Sequence, residues 1–179
     1  TFTGNTVTGN LGYGGSPAAT SGVRLENNST GNVDVSNNTV SNNGNYLGGM
    51  YLSNLGTGVV TMNMNTVQNN TGQFSGIYYY IPNVAYQPSS VTANNNILAN
   101  NTSEYGGLRF YANLPEITAT GNTITNVTDS NAGLYVYDAT DVNIQNNTIS
   151  GVTNNGRGMY IQSIAGSTGT RLIKNNVVK

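Results

Sequence analysis

The 179-residue chain has no cysteine, no histidine and no tryptophan. Without cysteine it forms no disulfide and offers no thiolate, and without histidine it lacks the commonest metal ligand and general base. Charged residues make up only 7% and the formal net charge is −1, which gives no electrostatic basis for binding nucleic acid or an anionic bilayer. No run approaches the roughly 18 apolar residues of a membrane span. We expect no metal, no cofactor, no nucleic-acid partner and no membrane insertion.

Asparagine, glycine and tyrosine fill the gap that the missing residue types leave. The chain contains 32 Asn, 23 Gly and 12 Tyr, while apolar residues make up 36%. Low charge can accompany disorder, but disordered segments are also poor in aromatic and β-branched residues. The tyrosines, together with many Val, Ile and Thr, favour an ordered β protein.

Two signatures repeat along the chain and stay in phase. The first is Asn, then Thr or an apolar residue, then an aliphatic residue, and the second is Gly-aliphatic-large-aliphatic. In five repeats the Gly follows the Asn by 11 residues, and only the first repeat differs, with 17. The Asn positions are Asn5, Asn38, Asn65, Asn96, Asn122, Asn147 and Asn176, and the Gly positions are Gly22, Gly49, Gly76, Gly107, Gly133 and Gly158.

The repeat predicts an all-β fold, a right-handed parallel β-helix (solenoid) of about six coils with three short strands in each. A third apolar-x-apolar segment precedes each Asn, and every segment has period two and is too short for an ordinary helix. Coils stacked at roughly 4.8 Å bury the inward residues as aliphatic columns. We predict one domain over residues 1–179, either a segment of a longer solenoid or a subunit with uncapped ends that stacks end to end into a fibre.

Asparagine at the corners of the coils has a physical reason. Asn tolerates the left-handed backbone that tight turns need, and stacked amides bond to their counterparts in adjacent coils. A second, partial ladder should form five residues later in the coil. It should end at Val127 and Val152, where apolar stacking replaces the amides. The main ladder should contain Asn38, Asn65, Asn96, Asn122 and Asn147, and the second Asn10, Asn43, Asn70 and Asn101.

These motifs over nearly the whole chain resemble the repeat of pectin-lyase-like right-handed β-helix proteins. The resemblance implies the fold but not one activity, since that superfamily holds polysaccharide lyases, glycoside hydrolases, phage tailspikes, adhesins and surface proteins. Its enzymes place their substrate grooves beside variable loops. In this chain the loops between the Gly and Asn segments vary most. All four prolines should lie outside strands: Pro17, Pro82, Pro88 and Pro115.

One predicted outward face is rich in tyrosine. The first outward row of the Gly segments contains two arginines among tyrosines, and the next row begins with Glu26 and Ser53 and ends with Gln162. Such a face can stack on sugar rings and offer phenol hydroxyls at little entropic cost. It can equally stabilise the sheet or contact another protein. The candidate ligand-binding residues are Tyr51, Tyr78, Tyr80, Arg109, Tyr111, Tyr135, Tyr137 and Tyr160.

Catalysis has weaker support from the sequence. A glycosidase needs two carboxyl groups roughly 5 to 9.5 Å apart, and the resemblance implies for a lyase an acidic calcium cluster beside a basic residue. Asp138 and Asp141 should share a short loop, with Glu116 one coil earlier. Turn formation explains such aspartates more simply. The candidate catalytic residues are Arg109, Glu116, Asp138 and Asp141, with Tyr135 beside them.

The sequence thus favours a secreted or cell-surface structural or adhesive module, with a polysaccharide or glycan as a possible partner on the tyrosine face. A polysaccharide-acting enzyme, or a remnant of one, is the alternative. Ice binding is a minor alternative, because another outward face carries pairs such as Thr6 and Thr8, but Gln68 and Ile97 interrupt its rows.

Overall fold

A computed structural model describes residues 1–11, 22–26, 30–44, 46–53, 57–81, 87–102, 104–154, 156–163 and 168–179. Within these ranges every regular element is a β-strand, and all the strand pairs in the sheets are parallel. The predicted all-β parallel solenoid is confirmed. Pro17 and Pro82 lie outside the described residues.

The strands that follow each repeated Asn, called here the Asn strands, form one seven-stranded sheet. Their central residues, such as Val40, Val67 and Leu98, pair in register from coil to coil and are fully buried. Most of the outward neighbours are half-buried or exposed, and Ser41 is buried. The Asn strands are β1 (Thr6–Thr8), β4 (Thr39–Ser41), β7 (Thr66–Gln68), β10 (Ile97–Ala99), β12 (Thr123–Thr125), β14 (Thr148–Ser150) and β17 (Val177–Val178).

The strands that begin near each repeated Gly, the Gly strands, stack on a second face. Glycine is required here because a Cβ at Gly49 would lie 2.1 Å from the carbonyl oxygen of Gly76 in the next coil. Six Gly strands are described, close to the predicted number of coils. They are β2 (Val23–Glu26), β5 (Met50–Ser53), β8 (Ile77–Tyr80), β11 (Leu108–Thr120), β13 (Ala132–Gln145) and β15 (Arg157–Ser163).

A third face is formed by the strands that precede each Asn strand, called the pre-Asn strands. Four of them are separate elements, and the second halves of β11 and β13 complete the stack between them. Inward residues such as Val60, Val91 and Ile117 are fully buried. The separate pre-Asn strands are β3 (Val33–Asp34), β6 (Val59–Thr61), β9 (Ser90–Asn94) and β16 (Arg171–Lys174).

Two coils depart from the predicted three short strands, because in β11 and β13 the Gly strand runs directly into the pre-Asn strand. The register shifts between Tyr111 and Leu114, and such a bulge bends a strand without ending its ladder. Pro115 therefore lies within β11, where a missing N–H is tolerated beside the bulge. Asp138 and Asp141 lie within β13. The predictions that Pro115 lies outside a strand and that the two aspartates share a loop are wrong.

The main asparagine ladder is confirmed and sits inside the corner before the Asn strands. The backbone N and Nδ2 of Asn65 donate to Oδ1 of Asn96 at 2.9 and 3.0 Å. Nδ2 of Asn65 also donates to the carbonyl of Val35 at 2.8 Å. The pattern repeats through Asn38, Asn65, Asn96, Asn122 and Asn147 and extends to Asn5 and Asn176. Each buried amide is thereby saturated.

The second ladder also forms as predicted. Asn10, Asn43 and Asn70 each donate, from backbone N and Nδ2, to the amide oxygen of the next member, which for Asn70 is Asn101. Val127 takes the next place and is fully buried. An apolar contact therefore replaces the amide there.

The residue before each main-ladder Asn has a left-handed backbone. It is Gly or Asn in every described coil except one, where Met64 takes a φ of 56° with its side chain 54% exposed. A side chain with a Cβ pays about 1 kcal/mol or more in this conformation unless it is Asn or Asp.

Replacing Asn96 by Ala should lower the free energy of unfolding by about 3 to 5 kcal/mol. The change strands the N–H of Asn65 and the carbonyl of Met62 without partners inside the protein, and each such group costs about 1 to 3 kcal/mol. Urea unfolding followed by far-ultraviolet circular dichroism measures the loss. Asn143, whose side chain accepts a local hydrogen bond from Nε2 of Gln145 and belongs to neither ladder, is the control, and an equal loss in Asn143→Ala would contradict the ladder's role.

Replacing Met64 by Asn should raise the free energy of unfolding by about 1 kcal/mol, because Asn tolerates the left-handed conformation. Thermal unfolding measures the gain. Met64→Ala keeps a Cβ and should show no gain, so equal stabilisation by Ala would mean that exposure of the methionine, not its backbone, is the cause.

Candidate functional site

Ten aromatic rings form a continuous series on the Gly-strand face, named here the tyrosine strip. Neighbouring ring centroids lie 4.6 to 6.2 Å apart, mostly in stacked or tilted geometry. The strip runs across the coils from β5 to β15. Its members are Tyr46, Tyr51, Phe74, Tyr78, Tyr80, Tyr105, Tyr111, Tyr135, Tyr137 and Tyr160.

The strip contains one row in which three consecutive coils each supply a tyrosine in strict register. Tyr80 pairs with Tyr111 and Tyr111 with Tyr137, and their ring centroids are 5.9 and 5.0 Å apart. All three are half-buried. In the part of the chain that the structure describes, their hydroxyls make no hydrogen bond. The ring of Tyr111 stacks on Tyr137 and is tilted against Tyr80, so the row presents ring edges and free phenols to solvent.

Other phenols of the strip are already engaged or shielded. Tyr160 donates to Oε1 of Gln162 at 2.6 Å, and Tyr105 donates to Oε1 of Glu104 at 2.7 Å. Burial raises the pKa of Tyr105 to about 12 and also raises the pKa of Tyr78 and of Tyr135. These side chains stay protonated at neutral pH.

Arg109 occupies the centre of the strip, in the row that contains Tyr78 and Tyr135. Its guanidinium carbon lies 4.0 Å from the ring centroid of Tyr135, 4.4 Å from that of Tyr105 and 5.3 Å from that of Tyr111. Cation–π attraction is strongest when desolvated, and Nε and Nη1 are buried without a hydrogen-bond partner. Arg109 therefore holds the surrounding rings together rather than projecting into solvent.

Arg109 and Tyr135 lie on the predicted side of the sheet, but they are not open to solvent. Only 6% of Arg109 and 7% of Tyr135 are exposed. The reason is that Tyr105, from the corner before β11, lies over the guanidinium, while Tyr137 and Tyr160 stack on Tyr135.

Asp129 lies behind the strip and was not predicted as a site residue. It is completely buried. Its Oδ1 accepts the backbone N–H groups of Asn131 and Ala132 at 2.8 and 3.1 Å, and its Oδ2 accepts that of Gly107 at 3.3 Å. Burial raises the pKa of its carboxyl to about 6, against the opposing effects of these N–H groups and of Arg109.

The sequence pattern does not indicate the site residues that lie in the corners, for one reason. Phe74 and Tyr105 precede Gly strands, and Asp129 in Asp-Ser-Asn has the composition of an ordinary surface turn. Period-two alternation assigns directions only within strands. The one available signal was that each of these residues directly precedes the Gly strand of its coil.

The predicted catalytic residues divide into separate groups. Arg109 and Tyr135 lie together before the bulges, whereas Glu116 pairs in register with Asp141 after them. Oδ1 of Asp141 accepts the backbone N–H of Thr170, and Asp138 accepts a hydrogen bond from Gln162 at 3.5 Å. A cleft of about 250 Å³ is lined by Glu116, Asp141, Val142, Asn143, Thr170 and Leu172.

The resemblance implies an acidic calcium cluster for a lyase. Among the residues that the structure describes, no group of three or more Asp, Glu, His or Cys side chains is placed to hold a metal ion. No helix in those ranges is long and apolar enough to cross a membrane.

The Thr-bearing face is interrupted where the sequence indicated. Thr6, Thr39 and Thr66 pair in register, and Ile97 follows with 46% of its surface exposed. The face is thus not a regular Thr array.

The fold and its ladders define the chain as a parallel β-solenoid with a tyrosine-rich strip on its Gly-strand face. No family model matches the chain, and no curated protein or solved structure matches it either. The resemblance to pectin-lyase-like proteins stays a prediction.

Asp129 should make stability depend on pH. The folded pKa of about 6 exceeds the ordinary value of 3.8, so the native state binds this proton more tightly. The stabilisation is complete below the unfolded pKa and is lost as pH rises through the folded pKa. Relative to Asp129→Asn, the wild type should gain about 2 kcal/mol between pH 7 and pH 4. Urea unfolding at both pH values measures it, and a constant difference would contradict the prediction.

Proposed function

We propose that this chain is a non-catalytic structural or adhesive module of a secreted or cell-surface protein, and that the tyrosine strip binds a polysaccharide along the solenoid axis. The observation that carries the proposal is the in-register row of Tyr80, Tyr111 and Tyr137, with free phenols in three successive coils.

The chemistry of the row suits a sugar polymer. Each phenol both donates and accepts a hydrogen bond, as sugar hydroxyls do, and rigid aromatic side chains bind at low entropic cost. The row repeats at the coil spacing, so it presents equivalent groups to a ligand with a repeating unit. It is an elongated surface, which fits an extended chain better than the enclosed pocket that small molecules prefer.

The strip continues at one end into a small aromatic pocket of about 190 Å³. Arg24, Tyr46, Leu47, Tyr51 and Phe74 line it. The Arg24 guanidinium lies 5.8 Å from the Tyr51 ring centroid and forms an exposed ion pair with Glu26 at 3.5 Å. A glycan along the strip would thus have apolar contacts and a cation at this end.

A polysaccharide-acting enzyme is the second candidate, favoured by one observation. Glu116 and Asp141 are neighbours in a parallel ladder and line the same cleft. Strands about 4.8 Å apart bring such carboxyl groups near the roughly 5 Å separation of retaining glycosidases. Against it, Asp141 already anchors the backbone of Thr170.

Changing Tyr80, Tyr111 and Tyr137 together to Phe should weaken glycan binding about tenfold or more while the stacked rings remain, since hydrogen bonds contribute about 0.5 to 1.5 kcal/mol each. A glycan array identifies the ligand, and calorimetry with its oligosaccharides measures the affinity. Tyr79→Phe is the matched control, because the Tyr79 hydroxyl is buried, lacks a hydrogen-bond partner and faces the interior.

Three results would overturn the proposal. One is the absence of binding to any glycan, and another is equal binding by the triple variant. The third is release of reducing ends or unsaturated products by the wild type, lost in Glu116→Gln, which would establish the enzyme instead.

A further inference from the structure

Two charged side chains are buried in the described part of the chain, and both are tied to the corner that precedes β11. Arg109 is 6% exposed and Asp129 is fully buried. The corner that precedes β11 joins them, because Gly107, two residues before Arg109, donates its N–H to Asp129. Tyr105, which covers the guanidinium, belongs to the same corner.

Each of the two charges lacks a direct ionic partner of its own. Nε and Nη1 of Arg109 face aromatic rings without a hydrogen bond, and three backbone N–H groups hold the carboxylate of Asp129. A buried charge is costly unless an opposite charge compensates it. Burial raises the pKa of Asp129, and the three backbone N–H groups and, to a smaller extent, the charge of Arg109 lower it. Each charge thus makes the burial of the other less unfavourable.

We propose that Asp129 is the positioning residue of the tyrosine strip: its negative charge keeps Arg109 between the rings of Tyr105 and Tyr135, and neutralising it releases the centre of the strip. The effect on a ligand rests on the function proposed above. The effect on the rings does not.

The release would occur in mildly acidic solution, since the carboxyl of Asp129 titrates there. The ionisable groups around it are Arg109 on β11, Glu104 and Tyr105 on the corner before it, and Arg157, whose backbone N–H bonds to Asn131 at 2.8 Å. Of these, Arg109 is the buried cation. Without the carboxylate charge, burial of the Arg109 guanidinium becomes less favourable. The side chain then moves toward water, which removes the cation from Tyr105 and Tyr135.

Near-ultraviolet circular dichroism tests the idea directly, since tyrosine dominates this signal in a chain without tryptophan. The wild-type spectrum should change with a midpoint near pH 6, and Asp129→Asn should show the acidic spectrum at every pH. Arg109→Met should move the titration of Asp129, followed by carboxyl NMR, to higher pH. Asp34→Asn, on the pre-Asn strand β3, is the control and should behave as the wild type.

Oligosaccharide affinity provides the second readout. At pH 7.5 Asp129→Asn should bind about tenfold more weakly than the wild type, and the wild type should lose a similar factor between pH 7.5 and 5. If no glycan binds, the proposed function fails while the spectra still decide the inference. A wild-type near-ultraviolet spectrum that does not change with pH, or a pH response retained in Asp129→Asn, would overturn it.

Discussion

The in-register stacking of amides at the corners is the interaction on which the rest of the structure depends. A parallel ladder fixes which residue lies above which, but short strands of three residues provide few hydrogen bonds to hold that register. The Asn ladder supplies the missing constraint, since the backbone N and Nδ2 of one member bond to Oδ1 of the next. A slip of one residue would turn the buried aliphatic column outward and leave saturated amides without partners.

That constraint also explains how a surface with little charge becomes organised. Once the register is fixed, each outward position forms a column along the axis, and any residue type repeated at one phase becomes a continuous surface. Tyrosine at two such phases gives stacked or tilted rings about 5 to 6 Å apart. The arrangement of the strip thus depends on the register that the ladder fixes.

The sequence was sufficient to predict whatever depends on the period. Both ladders, the buried columns and the side of the sheet that carries the tyrosines follow from the phase of Asn and Gly, and the structure confirms them. Features within the corners were not predictable in this way. The bulges that join strands in β11 and β13 keep the pairing partners of the flanking segments, so the spacing of the repeat gave no sign of them. The covering of Arg109 depends on the direction of Tyr105, which no alternation specifies.

The buried charges at the centre of the strip show how the corner and the face are coupled. Burial raises the pKa of Asp129, and Arg109 opposes this shift. Protonation of Asp129 therefore relieves the cost of burying its own charge, but it removes the opposite charge that compensates the buried Arg109. Acidification therefore stabilises the fold through one group while it weakens the local arrangement through the other. If Asp129 served only stability, acidification would change the free energy of unfolding and the order of the rings around Arg109 in the same direction. The opposite signs distinguish a carboxylate that positions Arg109 from one that merely closes a turn.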